Sequence, residues 1–312
     1  MTAMEHGEAF DAGAPFTRAA ALATGIPRRA LYGARYRRLH TGIFIGADVE
    51  PTPLVRAQAA LLAFGADAHA SHATAARVWA LPIPVLPDEH VTVTDRRQRR
   101  SRAGIRCHWT RRREMVTIAG VTVSSLPQTF VELATLLHLV DLVVVGDHLA
   151  RRCDIAPTAL VEFCEQSRHA GAGRALEAAR LVRERVDSPM ETRSRMLVVL
   201  GGLPEPEVNP TIVADDGFTV RKYDLCYRKS RTLIEYDGRQ HVERVQQWEE
   251  DVERRAGIED DAWRSIILVA KHIYSTPGDT LERIHRILLQ RGEPGVPARL
   301  SDRWRRYFPE RP

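Results

Sequence analysis

The sequence predicts an α/β protein of the α+β type, and three observations carry that prediction. Residues 187–292 run in the order helix, three antiparallel strands, helix, strand, helix, which is the pattern of a mixed sheet flanked by helices. Residues 54–178 hold a further set of strand-like pieces between helical stretches. A hydrophobic content of 44% beside 27% charged residues allows a substantial buried core. Four parts follow: a small unit at 1–50, a middle α/β part at 54–178, the mixed sheet at 187–292, and a Pro- and Arg-rich tail at 293–312 that is expected to be loosely held.

In the first part, "FTRAAALATGIPRRALYGARYRRLHTGIFIG" predicts helix, turn, helix and a short strand. Thr17 caps a helix through Ala23, and Gly25 stops it. Pro27 suits the start of a second helix, which carries Arg28, Arg29, Arg35, Arg37 and Arg38 without an acid among them. "TGIFIG" then alternates like a wing strand. This is the layout of a winged helix-turn-helix, whose second helix enters the major groove of DNA while basic side chains hold phosphates. The alternative is an arginine-rich solvated helix. A base-reading helix would turn its arginines away from Ile26, Ala30 and Leu39.

The proline-bearing link "VEPTP" leads to the middle part. "PLVRAQAALLAFGADA" and "SHATAARVWALP" read as helices, followed by strands in "EHVTVTD", "GIRCHWT" and "VTIAGVTVSS" and then more helix. Residues 95–113 hold nine arginines and one acid. As a hairpin tip this segment would track phosphates, and the alternative is a soluble loop between two strands. His69, His72, His108, His138 and His148 show no metal-like spacing, so each is expected to be structural or exposed.

In the third part, Ser188 with Glu191 three residues on forms a capping box, Pro189 takes the first helical position, and Gly201 and Gly202 end the helix. Strands are expected at 207–213, 218–226, 231–237 and 264–270.

The formal charge of +5 and pI near 9.2 favour an anionic partner such as nucleic acid. Only Lys222, Lys229 and Lys271 are lysines, so the positive charge is almost all arginine. Cys107, Cys153, Cys164 and Cys226 form no C-x-x-C pair, which speaks against a disulfide framework or zinc ribbon. No apolar run is long enough to span a membrane, and the N-terminus lacks the features of a signal peptide, so a cytoplasmic protein is expected.

The chemistry concentrates in "KYDLCYRKSRTLIEYDGRQH", residues 222–241. A hairpin loop of even length centred between Lys229 and Ser230 sets Leu225 opposite Ile234 and Asp224 opposite Glu235. Opposed side chains lie about 5 Å apart, where like charges destabilise the sheet. Asp237 falls on the same face as Glu235. Compensation comes from a divalent cation bound by carboxylate oxygens and water, or from Arg221, Arg228 and Arg231 in surface ion pairs. "TLIEYDG" reads as a buried strand, where isolated carboxylates are costly, and this favours the cation. Glu191 is a fourth candidate ligand, but its capping role competes.

These residues resemble the PD-(D/E)xK nucleases, and within them the very-short-patch-repair-like endonuclease group. The match runs through Asp224, Ile234, Glu235, Tyr236, Asp237, Gly238 and His241, then Asp251 and Arg254, and Trp263 ahead of "SIILVA". The resemblance implies a restriction-endonuclease-like fold for 187–292 and Mg2+- or Mn2+-dependent cleavage of DNA. It implies a metal held by Asp224 and Glu235, with Glu191 or Asp237 assisting, and a phosphate neutralised by Arg254. The first two parts are similar to chains that begin with an AbiEi-type antitoxin-like winged helix, on "GIFIG" and "SHATAARVWALP". That similarity implies DNA binding and a toxin as partner. One position departs from the nuclease pattern: the expected lysine is Asp237. His241 then stands as proton donor to the leaving oxygen or as base, and Asp237 as ligand of a second metal. The other reading is a DNA-binding regulator of the antitoxin type with a degenerate nuclease fold.

Overall fold

The structure, a computed structural model, describes residues 11–100, 102–111, 114–213, 218, 220–238 and 262–309. The fold is α+β, and the chain divides into two units, one formed by 1–136 with 167–175 and the other by 137–166 with 176–312.

In the first unit, β1 (Phe16–Thr17), β2 (Tyr36–His40) and β3 (Ile43–Gly46) make a three-stranded sheet in the order β1-β3-β2. The helix α1 (Arg18–Ala23) is capped by Thr17, whose hydroxyl accepts from the Ala20 amide at 3.1 Å. The second helix expected from Pro27 does not extend to Leu39. Arg28–Tyr32 forms a 3-10 turn that ends at Gly33, and Tyr36–His40 is a strand. Two physical causes are visible. The turn at Gly42, with φ of 78°, returns the chain so that β2 pairs antiparallel with β3, and Tyr36 packs edge-on to Phe16 at 5.5 Å. Local helix preference yields to that strand pairing and aromatic contact.

A second sheet in this unit has the order β6-β5-β4-β8-β7. Its strands are β4 (His69–Ala70), β5 (Glu89–Val93), β6 (Ile105–Trp109), β7 (Met115–Ile118) and β8 (Val121–Ser124). Helices α2 (Pro53–Leu61), α3 (His72–Val78) and α4 (Leu126–Leu133) accompany it. Ile43 and Leu39 share a core cluster with Ala59, Val91 and Ile105. The first fifty residues therefore share a core with the middle part. The expected hairpin at 95–113 is corrected as well, because β5 and β6 run parallel, Val91 beside Cys107. The basic stretch between them is a crossover, held where Arg100 and Arg102 lie over the Phe64 ring at 5.7 and 5.6 Å.

The second unit takes α5 (Leu139–Arg152) and α6 (Pro157–Gln166) from the expected middle part, and α7 (Ala172–Ala179) leads into its later residues. The reason is polar as well as apolar: α5 packs on α8 (Pro189–Leu200), with Asp141 paired to Arg193 and Asp147 to Arg195. Burial pushes the Asp141 carboxyl up, but the His138 hydrogen bond and the Arg193 charge outweigh it and hold the group below its usual 3.8. A depressed folded-state value stabilises the fold above the unfolded value and loses that contribution as pH falls through the folded one. Asp141→Asn is thus expected to lower stability near neutral pH. The difference from wild type should disappear in urea titrations well below pH 3.8.

The sheet of this unit has the order β14-β13-β12-β9, built from β9 (Glu207–Val208), β12 (Leu225–Tyr227), β13 (Thr232–Tyr236) and β14 (Arg264–Leu268). The pair β13 and β14 is parallel and the other pairs are antiparallel, so the sheet is mixed as expected. A separate two-stranded ribbon joins β10 (Thr211–Val213) to β11 (Val220–Lys222). Helices α9 (Ala270–Tyr274) and α10 (Pro277–Gln290) follow β14. The tail is not loose over its described part. Trp304 and Phe308 are buried, and the Ser301 amide donates to the Gly201 carbonyl at 2.8 Å. Among the described residues no helix is long and apolar enough to cross a membrane.

Candidate carboxylate site and arginine surface

The hairpin from β12 to β13 has the register that its sequence demands: Leu225 faces Ile234, Cys226 faces Leu233 and Tyr227 faces Thr232. The four-residue loop between the strands closes with Arg231 at φ 45° and its amide donating to the Arg228 carbonyl at 3.2 Å. Arg291 Nε donates to the Ser230 carbonyl at 2.6 Å, and the Ser230 amide donates to Glu293 at 3.0 Å, so the loop is fixed from α10 and the residues after it.

The ladder begins at the Leu225–Ile234 pair, and continuing its register by one step would set Asp224 opposite Glu235. Thr232, Leu233 and Ile234 are fully buried, whereas Asp224, Glu235 and Asp237 are half-buried. The carboxylates thus lie at the end of the sheet, where its core opens. Asp224 Oδ2 accepts from the Tyr236 amide at 2.8 Å, and the Asp224 carbonyl accepts from the Asn209 amide at 2.8 Å. This clamps the aspartate across the strand end. The Asp237 amide donates to the Leu268 carbonyl at 2.7 Å, which carries the parallel ladder past Tyr236. Trp263, which directly precedes β14, packs on the cluster of Ile212, Tyr223, Cys226 and Leu233.

Glu191 takes the capping role. Ser188 Oγ accepts from the Glu191 amide at 3.2 Å, and Glu191 Oε2 accepts from the Asp187 amide at 2.9 Å and from Asn209 Nδ2 at 2.7 Å. The return bond reaches the amide of Asp187 and not that of Ser188. Glu191 is buried, and through Asn209 it braces the Asp224 backbone. The geometry makes it a positioning residue. Ser188→Ala is expected to lower stability by about 1 kcal/mol, read from denaturant midpoints.

Among the described residues, one group of three His, Cys, Asp or Glu side chains has potential ligand atoms within 4.8 Å of one another, and it is His72, His90 and His108. The expected convergence of Asp224, Glu235 and Asp237 is thus corrected: their carboxylate oxygens do not all lie within 4.8 Å of one another. His241, Asp251 and Arg254 lie outside the described residues.

Arg28, Arg29, Arg35, Arg37 and Arg38 are all exposed, while Ile26, Ala30 and Leu39 are half-buried. The arginines therefore face outward as DNA contact requires, but from a 3-10 turn, a turn and a strand. Arg37 also donates to the Ala47 carbonyl at 3.2 Å and lies 4.0 Å from Glu50, so part of its role is local.

Sequence spacing misses the histidine group, whose members come from α3, β5 and β6. Nothing in the local sequence distinguishes His90, and His72 and His108 are expected from spacing to stand apart. The four cysteines are free thiols. No protein-family model matches the chain, and no curated protein matches it at a significant level.

Proposed function

We propose that the second unit is a Mg2+- or Mn2+-dependent phosphodiesterase acting on DNA, of the very-short-patch-repair-like type, and that the exposed arginines of the first unit bind the duplex. The observation that supports this reading is the register of the β12–β13 hairpin, Leu225 opposite Ile234, whose continuation by one step would put Asp224 and Glu235 across from each other at the open end of a buried strand. Two opposed carboxylates at this spacing are unfavourable without a cation, and oxygen donors suit a hard dication. Asp224 and Glu235 would hold it. A dication bound there lowers the pKa of water and neutralises charge on the scissile phosphate. Asp224 is kept in place by the Tyr236 and Asn209 amides, and Glu191 supports Asn209. His241 is assigned proton transfer and Arg254 phosphate neutralisation from the sequence pattern. Asp237 sits where the nucleases carry lysine, which leaves the cationic role to other groups.

The regulator reading draws on two observations: Glu191 is committed to capping, and that lysine is absent. Toxin binding belongs to that reading. A nicking assay separates the two. The full chain is expected to relax supercoiled plasmid in Mg2+ and to stop when the metal is chelated. A chain that binds DNA but cuts no form of it in Mg2+ or Mn2+ would contradict the enzyme reading.

The arginine surface has its own test. Replacing Arg28, Arg29 and Arg38 together by Ala should weaken binding to all duplex sequences alike. The slope of log affinity against log salt should shrink by about 0.9 for each phosphate that is no longer neutralised.

A further inference from the structure

The first unit gathers imidazoles on a polar layer between α3, β5 and β6. His72, at the start of α3, stacks on His108 with ring centroids 3.8 Å apart, and His90 Nδ1 lies 2.9 Å from His108 Nε2. His72 and His90 are buried and His108 is half-buried, so the group opens to solvent at one edge. His169 stands edge-on to His72 with centroids 5.8 Å apart.

We propose that His72, His90 and His108 form a binding site for a zinc-class dication. One ring nitrogen from each of the three lies within 4.8 Å of the others. Ligand nitrogens about 2.0 to 2.1 Å from a tetrahedral ion must lie a little over 3 Å apart, so small movements bring the three together. The partners of His72 point the same way. Its Nδ1 is 3.0 Å from Ser71 Oγ and 3.6 Å from Glu132 Oε2, while its backbone amide donates to the same Oε2 at 2.8 Å. With Nδ1 donating to Ser71 Oγ and the Glu132 carboxylate close behind, the other nitrogen, Nε2, keeps its lone pair for an ion, much as in carboxylate–histidine–metal arrangements. Ser124 and Gln128 each donate to Glu132 Oε1 at 3.0 Å and fix that carboxylate in turn.

His72 sits at φ 48° at the start of α3. Protonation agrees with this geometry. Burial, followed by the charges of neighbouring imidazoles, holds His72 well below the usual 6.5. Burial likewise takes His90 to about 3 and His108 to about 4. Neutral rings each keep one lone pair for a metal. Three imidazoles and an open side match zinc and its neighbours better than magnesium, which prefers oxygen. Water completes the shell from the open side.

The test uses the full chain carrying Asp224→Ala and Glu235→Ala, so that the carboxylate site takes no metal. Freed of metal and titrated with Co2+ near neutral pH, it is expected to bind one equivalent with intense visible d–d bands that Zn2+ abolishes. His108→Gln should remove the bands. Glu132→Gln, which keeps the shape of the support, should weaken binding about 10- to 100-fold. Should a variant fail to fold, zinc-edge X-ray absorption of the otherwise unaltered chain decides, with three imidazoles expected around the ion. Absence of stoichiometric binding, an oxygen-only shell, or a folded His108→Gln variant that binds as tightly as its parent would each overturn the proposal.

Discussion

Asp147→Asn is expected to destabilise the second unit by about 3–5 kcal/mol, the penalty for leaving a buried charge without its partner. Arg195 is fully buried, and its guanidinium donates to Asp147 Oδ2 at 2.9 Å, to the Leu181 carbonyl at 2.9 Å and to Glu205 Oε1 at 3.1 Å. Asp147 in turn accepts from the Arg183 amide at 2.7 Å and from Thr192 Oγ1 at 2.8 Å. One carboxylate thus ties α5 to α8 and to the chain between α7 and α8. Asparagine keeps the size but removes the charge, so Arg195 stays buried with the exposed edge of Glu205 as its remaining anion. The effect should be read from urea unfolding. Replacing both partners, as Asp147→Leu with Arg195→Met, is expected to recover much of the loss, because paired removal also removes the desolvation of the charge. A double variant as unstable as Asp147→Asn would show that packing around the pair dominates.

The second large effect is on chemistry. Glu235→Gln and Asp224→Asn are each expected to lower the rate of Mg2+-dependent DNA cleavage by at least about 100-fold, the scale of losing a group that stabilises transition-state charge. Stability should behave differently. Removing one of two opposed carboxylates relieves repulsion of about 0.2–1 kcal/mol, so Glu235→Gln in metal-free buffer should unfold at the same or slightly higher denaturant concentration than wild type. Asp224→Asn has more to lose, because Oδ2 accepts from the Tyr236 amide. Loss of activity with retained stability points to the metal role; loss of both points to a carboxylate that only supports the sheet.

The hairpin and its register are legible in the sequence because they depend on local facts. An even loop centred between Lys229 and Ser230 leaves a single pairing, Leu225 with Ile234 and Cys226 with Leu233. The Ser188 cap is legible for the same reason, although the return bond of Glu191 goes to the Asp187 amide and not to that of Ser188. The arginine-rich second helix fails as an expectation because Arg28–Tyr32 and Tyr36–His40 carry no decisive local preference. The state of Tyr36–His40 is set by pairing with β3 and by the ring of Phe16, and Tyr32 packs edge-on to Phe44. The unit boundary escapes because the pairs that join α5 to α8 are polar and far apart in the chain, as with Asp147 and Arg195, 48 residues from each other. The histidine group escapes for a related reason. His90 and His108 are 18 residues apart and meet only because β5 and β6 run parallel, which no local spacing announces.

Diffraction from crystals grown with Mn2+ decides whether Asp224 and Glu235 share a divalent cation. A shared ion gives an anomalous peak about 2.0 to 2.6 Å from a carboxylate oxygen of each residue. A saturating Mn2+ concentration that leaves no peak between them, with both side chains ordered, would contradict it.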